Sequence, residues 1–106
     1  MTSLIDSSRR EHEGTDTYVF GFRAVHDMAP GASGVYTIYT SQQWLYVGES
    51  DDIRQSLFEH LNAPGACMNR RGPLSYSFEL VPAAERAARR QALIAALVPA
   101  CNSAMR

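Results

Sequence analysis

Two tyrosines and one histidine are placed where their side chains could do chemistry together. Tyr36 and Tyr46 lie in two strand-like runs, residues 34–40 and 44–48, which only three residues separate. This spacing predicts an antiparallel hairpin, in which the parity of the strands decides whether both hydroxyls reach one groove. His60, near the end of the helix predicted to follow, could act as a base there or only interact with the helix dipole. Each tyrosine taken alone is an ordinary strand residue, so the hypothesis depends on the pair.

The elements that must position these residues can be predicted from two periods of hydrophobicity. Alternating apolar residues predict strands, and apolar residues at a spacing of about 3.6 predict helices. Strands are predicted over residues 17–25, 34–40, 44–48 and 74–81, and helices over residues 51–62 and 83–98, with loops between them at 26–33 and 63–73. The order strand, strand, strand, helix, loop, strand, helix is typical of an α+β fold, a small antiparallel sheet with flanking helices.

Length and composition limit what this chain can be. With 106 residues, of which 45% are hydrophobic and 20% charged, residues 17–106 are expected to form one domain behind a mobile tail, residues 1–16. No apolar run is long enough to span a membrane, and the start of the chain does not look like a secretory signal, so a cytoplasmic location is expected. Cys67 and Cys101 are therefore expected to be reduced thiols, and no metal or small-molecule cofactor is expected.

Charge is nearly balanced, so bulk electrostatics do not identify a partner. The formal net charge is −1, and all ten basic residues are arginines. Arginine suits phosphate and carboxylate equally well. Arg70 and Arg71 lie in the loop before the last strand, where they could bind nucleic acid or simply be solvated.

An ordered set of motifs resembles the GIY-YIG nuclease superfamily. The set comprises Gly34-Val35-Tyr36, Tyr46-Val47-Gly48, a helix carrying His60, and Leu93-Ile94 with Pro99 and Asn102, over about residues 30–103. The resemblance implies a groove in which tyrosines orient a water molecule, an arginine steadies the phosphate and a glutamate on the last helix holds a divalent metal. Gly48 would let the backbone come close at the corner between strand and helix.

Both charged positions of that family pattern are changed in this sequence. Ser56 stands where the arginine belongs, and Arg90 stands where the glutamate belongs. Arg54 falls on the other flank of its helix and is a poor substitute. Arg90 lies within the apolar arc of the last helix, so we expect it to face inward, paired with Glu49 or Asp51 or open to a phosphate. A guanidinium there would repel magnesium.

These features lead to one expected function and two alternatives. We expect an endonuclease-like domain associated with nucleic acid and degenerate for hydrolysis. Its remnant catalytic residues would be Tyr36, Tyr46 and His60, and its nucleic-acid-binding residues would be Gly48, Arg54, Arg70, Arg71 and Arg90. The first alternative is an active Mg²⁺-dependent phosphodiesterase whose carboxylate comes from Glu49, Glu79 or Glu85 and in which Arg90 takes over the role of the missing arginine. The second is a protein-interaction module that binds a partner's acidic side chain.

Overall fold

The computed structural model describes residues 17–63, 65–69 and 72–102. The predicted tail, residues 1–16, lies outside this part of the chain, as do Arg70 and Arg71. In chain order the elements are β1 (Tyr18–Val19), α1 (Phe22–Met28), β2 (Gly34–Tyr39), β3 (Trp44–Ser50), α2 (Ile53–Asn62), α3 (Gly65–Asn69), β4 (Ser75–Leu80) and α4 (Ala83–Leu97).

The predicted hairpin is confirmed. Strands β2 and β3 pair antiparallel with Tyr36 opposite Gly48 and Ile38 opposite Tyr46. The turn between the strands is held by the Thr40 hydroxyl, which accepts the backbone N–H groups of residues 42 and 43 at 3.0 Å each. The register then shifts by one residue, which leaves Leu45 as the extra residue of a bulge.

Four antiparallel strands form one sheet in the order β1-β4-β2-β3, which confirms the predicted α+β fold. Because side chains alternate along each strand, the sheet has two distinct faces. Tyr36 lies on the face that α2 covers, where its hydroxyl contacts His60. Thr37 and Ser77 lie on the other face, where they share a cleft with Leu93 of α4.

The two long helices start and end within two residues of their predicted limits, but they are anchored differently. Helix α2 begins at an Asp52 cap, whose carboxylate accepts the Gln55 N–H at 3.0 Å, and buries Ile53 and Leu57. Helix α4 begins after Pro82 with no side-chain cap, and none of its residues is fully buried. We infer that α2 is fixed by its buried apolar face, whereas α4 is held by half-buried apolar residues such as Leu93 and Leu97 together with the ion pairs of its arginines.

Three predicted boundaries are wrong. Residues 17–25 do not form one strand, since β1 is only two residues long and α1 follows Gly21. The loop predicted for 26–33 begins inside α1, and the loop predicted for 63–73 contains α3. The aromatic and β-branched residues of α1 favour a strand locally. The helix forms instead because it buries Val25 in the hydrophobic core.

The prediction that one face of β4 is exposed to solvent is also wrong. Ser77 is only 9% exposed and shares a hydrogen bond of 2.7 Å with the Thr37 hydroxyl. Glu79 is half-buried and paired with Arg89 of α4. Helix α4 covers this face, and its arginines allow a polar strand face to be covered.

The C-terminal strap, residues 100–102, runs along the outer edge of β3. Its backbone N–H groups bond to the carbonyls of Trp44 and Leu45 at 3.1 and 2.7 Å. The Asn102 side chain both accepts from the Val47 N–H at 2.8 Å and donates to the Val47 carbonyl at 3.0 Å. These bonds close an edge strand that would otherwise be open.

A disulfide joins the strap to α3, so the prediction of two reduced thiols is wrong. Cys67 and Cys101 are separated by 34 positions in the sequence, but their Cα atoms lie 5.7 Å apart. This distance is within the range that a disulfide spans. The tertiary fold alone brings the two sulfurs together.

Candidate functional site

The centre of the candidate site is a hydrogen bond between Tyr36 and His60. The Tyr36 hydroxyl lies 2.9 Å from His60 Nε2. The Tyr46 ring lies 4.9 Å from the imidazole and 6.2 Å from the Tyr36 ring, measured between centroids. Strand parity puts both tyrosines on the α2 face, and α2 presents His60 to them. The three residues predicted as catalytic remnants are therefore in mutual contact.

Gly48 has a packing reason to be glycine. A Cβ atom added to Gly48 would collide with the Tyr36 ring, including its hydroxyl. Tyr36 and Gly48 are directly opposite each other in the hairpin, so the tyrosine ring lies across the glycine. The spacing of the two motif residues thus follows from cross-strand register. This role supports the tyrosine and does not depend on a ligand.

Both groups of the central hydrogen bond are neutral near pH 7. Burial, and secondarily the neighbouring Tyr46, raises the pKa of Tyr36 well above its usual 10, although Ser56 and Arg90 act in the opposite direction. Burial also lowers the pKa of His60 below its usual 6.5, and the Glu59 carboxylate partly opposes this. The two groups therefore share a hydrogen bond between neutral partners, and the tautomer of His60 decides which of them donates.

Three arginines lie at helical spacing on the inner face of α4, and two of them are paired. Arg86, whose side chain is 16% exposed, donates to Glu49 at 3.3 Å, to Asp51 at 2.5 Å and to the Ser33 hydroxyl at 3.1 Å. Arg89 donates to both oxygens of Glu79, at 2.6 and 3.0 Å. These contacts raise the pKa of each guanidinium. In the sequence, only the helical spacing of the three arginines indicated that Arg86 and Arg89 could pair with carboxylates on the sheet.

Arg90 is half-buried, as expected, but it is not paired with either predicted carboxylate. Glu49 and Asp51 bind Arg86 instead, because Arg86 lies one turn closer to the corner after β3. Within the described part of the chain, Arg90 has no hydrogen-bond or ion-pair partner. Its positive charge is the smallest of the influences on the Tyr36 hydroxyl, and it opposes without reversing the rise in the pKa of that group, which burial dominates.

Two residues of α2, Ser56 and Arg54, lie at or near the position of the family's arginine, and the structure places them on different sides of the helix. Ser56 lies next to the Tyr36 hydroxyl, and its own hydroxyl donates to Ser50 at 2.6 Å. Arg54 points away, to the loop before β2, where its Nε donates to the Ala29 carbonyl at 2.9 Å. Arg54 therefore holds the loop and does not replace the missing arginine.

The residues present do not fit the divalent metal that the resemblance implies. Among residues 17–63, 65–69 and 72–102, no three His, Cys, Asp or Glu side chains are grouped as a metal site would require. Glu49 and Glu79 are paired with arginines, and Glu85 is exposed. The resemblance implies a metal-binding glutamate at position 90, where this chain has the guanidinium of Arg90. No step of the chemistry is therefore assigned to a metal here.

None of the helices within the described residues is both long enough and apolar enough to cross a membrane.

Comparison with known proteins identifies the fold. No protein-family model matches the chain, and no curated protein sequence matches it. Among solved structures, it is similar to the GIY-YIG N-terminal endonuclease domain of UvrC from Thermotoga maritima bound to its catalytic divalent cation, magnesium. That match has 21% identity and a TM-score of 0.62, and it covers 76% of this chain and 94% of that one.

Two point mutants of the same domain, also bound to the cation, match as well. A tyrosine-to-phenylalanine mutant has 20% identity and a TM-score of 0.62, with 76% and 94% of the two chains covered. An asparagine-to-alanine mutant has 20% identity and a TM-score of 0.58, with 74% and 90% covered. By its fold, this chain is a divergent GIY-YIG-like domain.

Proposed function

We propose that this domain associates with nucleic acid through the groove beside Tyr36 and Tyr46 and does not cut it by metal-dependent hydrolysis. The similar domains are endonucleases, which supports nucleic acid as the partner. The tyrosine and histidine contacts support a groove that has kept its shape. The change of charge within that groove supports the loss of hydrolysis.

One observation carries the proposal: at the position where the resemblance implies a metal-binding glutamate, α4 carries Arg90, a half-buried guanidinium with no ion-pair partner among the described residues. A divalent cation bound at the same place would meet repulsion, and no grouped carboxylates among the described residues would offset it. A negatively charged phosphate would instead be attracted. The electrostatics therefore favour binding over metal-assisted cleavage.

The test separates cleavage from binding. Plasmid nicking is measured with Mg²⁺ and with Mn²⁺, and the anisotropy of labelled DNA and RNA is measured over a range of salt concentrations. We expect no nicking, together with binding that weakens as salt rises, because phosphate contacts release counterions.

Two outcomes would contradict the proposal. Nicking that disappears in Tyr36→Phe but persists in Tyr39→Phe would establish the active phosphodiesterase. Tyr39 is the matched control because its hydroxyl bonds to Thr17, outside the candidate site. No binding of DNA or RNA at low salt would instead favour the protein-interaction module.

A further inference from the structure

A cleft lies between the sheet and α4, on the opposite face of the sheet from the Tyr36 hydroxyl. Its volume is about 160 Å³. Helix α4 packs mainly against β2 and β3, which leaves the cleft over the neighbouring part of β4. Most of its wall is apolar, and the apolar side chains that line it include those of Val35, Trp44, Leu93 and Leu97.

The floor of this cleft carries a pair of buried hydroxyl groups. Thr37 and Ser77 are 8% and 9% exposed, and their side-chain oxygens lie 2.7 Å apart. In such a pair one hydroxyl donates to the other, and the accepting hydroxyl keeps a proton of its own. Neither hydroxyl makes a second hydrogen bond to the residues that the structure describes. The pair therefore leaves one buried O–H donor without an acceptor among these residues.

The charged groups beside the cleft neutralise each other. Arg89 donates to both carboxylate oxygens of Glu79, at 2.6 and 3.0 Å, and both residues line the cleft. Because this pair satisfies its charges internally, a charged ligand would lose its hydration in the cleft without gaining a partner of opposite charge. The cleft therefore favours a neutral ligand.

The volume and the wall limit the shape of that ligand. An apolar cavity of about 150 Å³ is enough for one benzene ring, whereas sites for drug-sized molecules begin at about 300 Å³. Trp44 lines the cleft and is 40% exposed, so its indole offers an aromatic surface to a ring that enters.

We propose that this cleft binds a neutral molecule with one aromatic ring and a hydrogen-bond acceptor such as a carbonyl oxygen. The ring packs against Trp44 and the leucines of α4, and the acceptor takes the unused O–H of the Thr37 and Ser77 pair. This ligand site is additional to the proposed function and does not depend on it, because it lies on the other face of the sheet.

The experiment uses acetophenone as the probe, because it joins one aromatic ring to a carbonyl oxygen. It is titrated into the full chain, and the methyl signals of Val35, Leu93 and Leu97 are followed by NMR. We expect these signals to shift together and to saturate, whereas the methyl signals of Leu57, which α2 buries, stay in place. Nuclear Overhauser effects between the probe's ring protons and the Leu93 methyl groups should place the ring in the cleft.

A double variant, Thr37→Val with Ser77→Ala, tests the role of the hydroxyl pair. Replacing both partners of a buried hydrogen bond with apolar groups of similar shape costs little stability, so the variant should fold. It should bind acetophenone about fivefold more weakly, as the loss of one hydrogen bond between neutral groups predicts. α-Methylstyrene, which has a CH₂ group in place of the carbonyl oxygen, should bind the double variant at least as tightly as the unchanged chain. Ser75→Ala is the matched control, since it removes a hydroxyl from β4 outside the cleft.

Leu93→Trp gives a second measurement that leaves both hydroxyls in place. The larger side chain fills the cleft from α4 and should abolish the binding of both probes. Binding that survives Leu93→Trp, or shifts in the unchanged chain that do not saturate, overturns the proposal. Acetophenone binding that the double variant does not weaken, or that weakens together with α-methylstyrene binding, overturns it as well. Benzoate that binds more tightly than acetophenone would show that the cleft prefers an anion and would equally reject the neutral ligand.

Discussion

On the α2 face of the sheet the neutral pair Tyr36 and His60 satisfy each other, whereas the α4 face carries charged pairs in addition to the neutral hydrogen bond between Thr37 and Ser77. Tyr36 and His60 form a hydrogen bond among packed rings, above buried Ile53 and Leu57. Across the sheet, Arg86 and Arg89 pair with carboxylates, and no residue of α4 is fully buried.

This difference indicates which residues can be substituted without loss of the fold. Buried neutral residues fill a fixed volume, so a substitution there costs packing as well as chemistry. The half-buried side chain of Arg90 on α4 fills little of the hydrophobic core. The charge at this position can therefore change sign while the fold is kept. The motif residues on the α2 face are therefore kept together by packing, whereas position 90 is not.

The largest expected effect comes from removing the disulfide that joins the C-terminal strap to α3. Replacing both Cys67 and Cys101 with alanine opens a loop of 34 positions and should lower the free energy of unfolding by about 3 kcal/mol. Urea unfolding measures this loss, and the unchanged chain in excess reductant serves as the control. Hydrogen exchange should speed up at Val47, which the strap holds. Equal stability with and without reductant would contradict the prediction.

The next effect tests the packing of the α2 face. Gly48→Ala places a methyl group against the Tyr36 ring and should cost about 2 kcal/mol through overpacking. Gly21→Ala is the matched control, because the nearest atom to its new Cβ lies 3.9 Å away. Circular dichroism during urea unfolding measures both variants. Equal losses at the two positions would show that the ring does not require the glycine.

A smaller effect distinguishes the three arginines of α4. Arg86→Ala leaves Glu49 and Asp51 without their partner and should lower the urea midpoint. Arg90→Ala breaks no internal pair and should change the free energy of unfolding by about 0.5 kcal/mol or less. The same unfolding measurement on both variants compares them directly. A larger loss for Arg90→Ala than for Arg86→Ala would mean that Arg90 has an internal partner.

The smallest expected effect is a pH dependence of the free energy of unfolding, caused by His60 on the α2 face. Because burial lowers the pKa of His60 in the folded state, its contribution to stability is fully present above about pH 6.5 and is lost as the pH falls through the lower folded value. Thermal unfolding at pH 7.5 and 5.5 measures the loss. His60→Asn should reduce this pH dependence, whereas His26→Asn, at an exposed position on α1, should keep it. A His60→Asn variant with an unchanged pH profile would contradict the assignment.

Some elements of the fold were predictable from the sequence and others were not. The hairpin was predictable because two alternating runs are separated by three residues, and α2 and α4 were predictable from helical periodicity and flanking prolines. The register that brings Tyr36 over Gly48 follows from the same pattern. Helix α1 was not predictable, because its residues prefer strands locally and only packing around Val25 decides otherwise. The candidate roles of Arg70 and Arg71 stay predictions, since these residues lie outside the described part of the chain.

Sequence by itself determined the α+β fold, the paired tyrosines and the substitution of Arg90 for an acidic residue, because periodicity and spacing are properties of neighbouring residues. Tertiary structure alone decided that Arg86 takes Glu49 and Asp51 and that Cys67 meets Cys101, because these contacts join residues more than 30 positions apart. Their pairing depends on the angle at which α4 and the strap cross the sheet. The distances between side chains that this angle fixes leave the three nearby carboxylates to Arg86 and Arg89, and Arg90 has no ion-pair partner among the described residues.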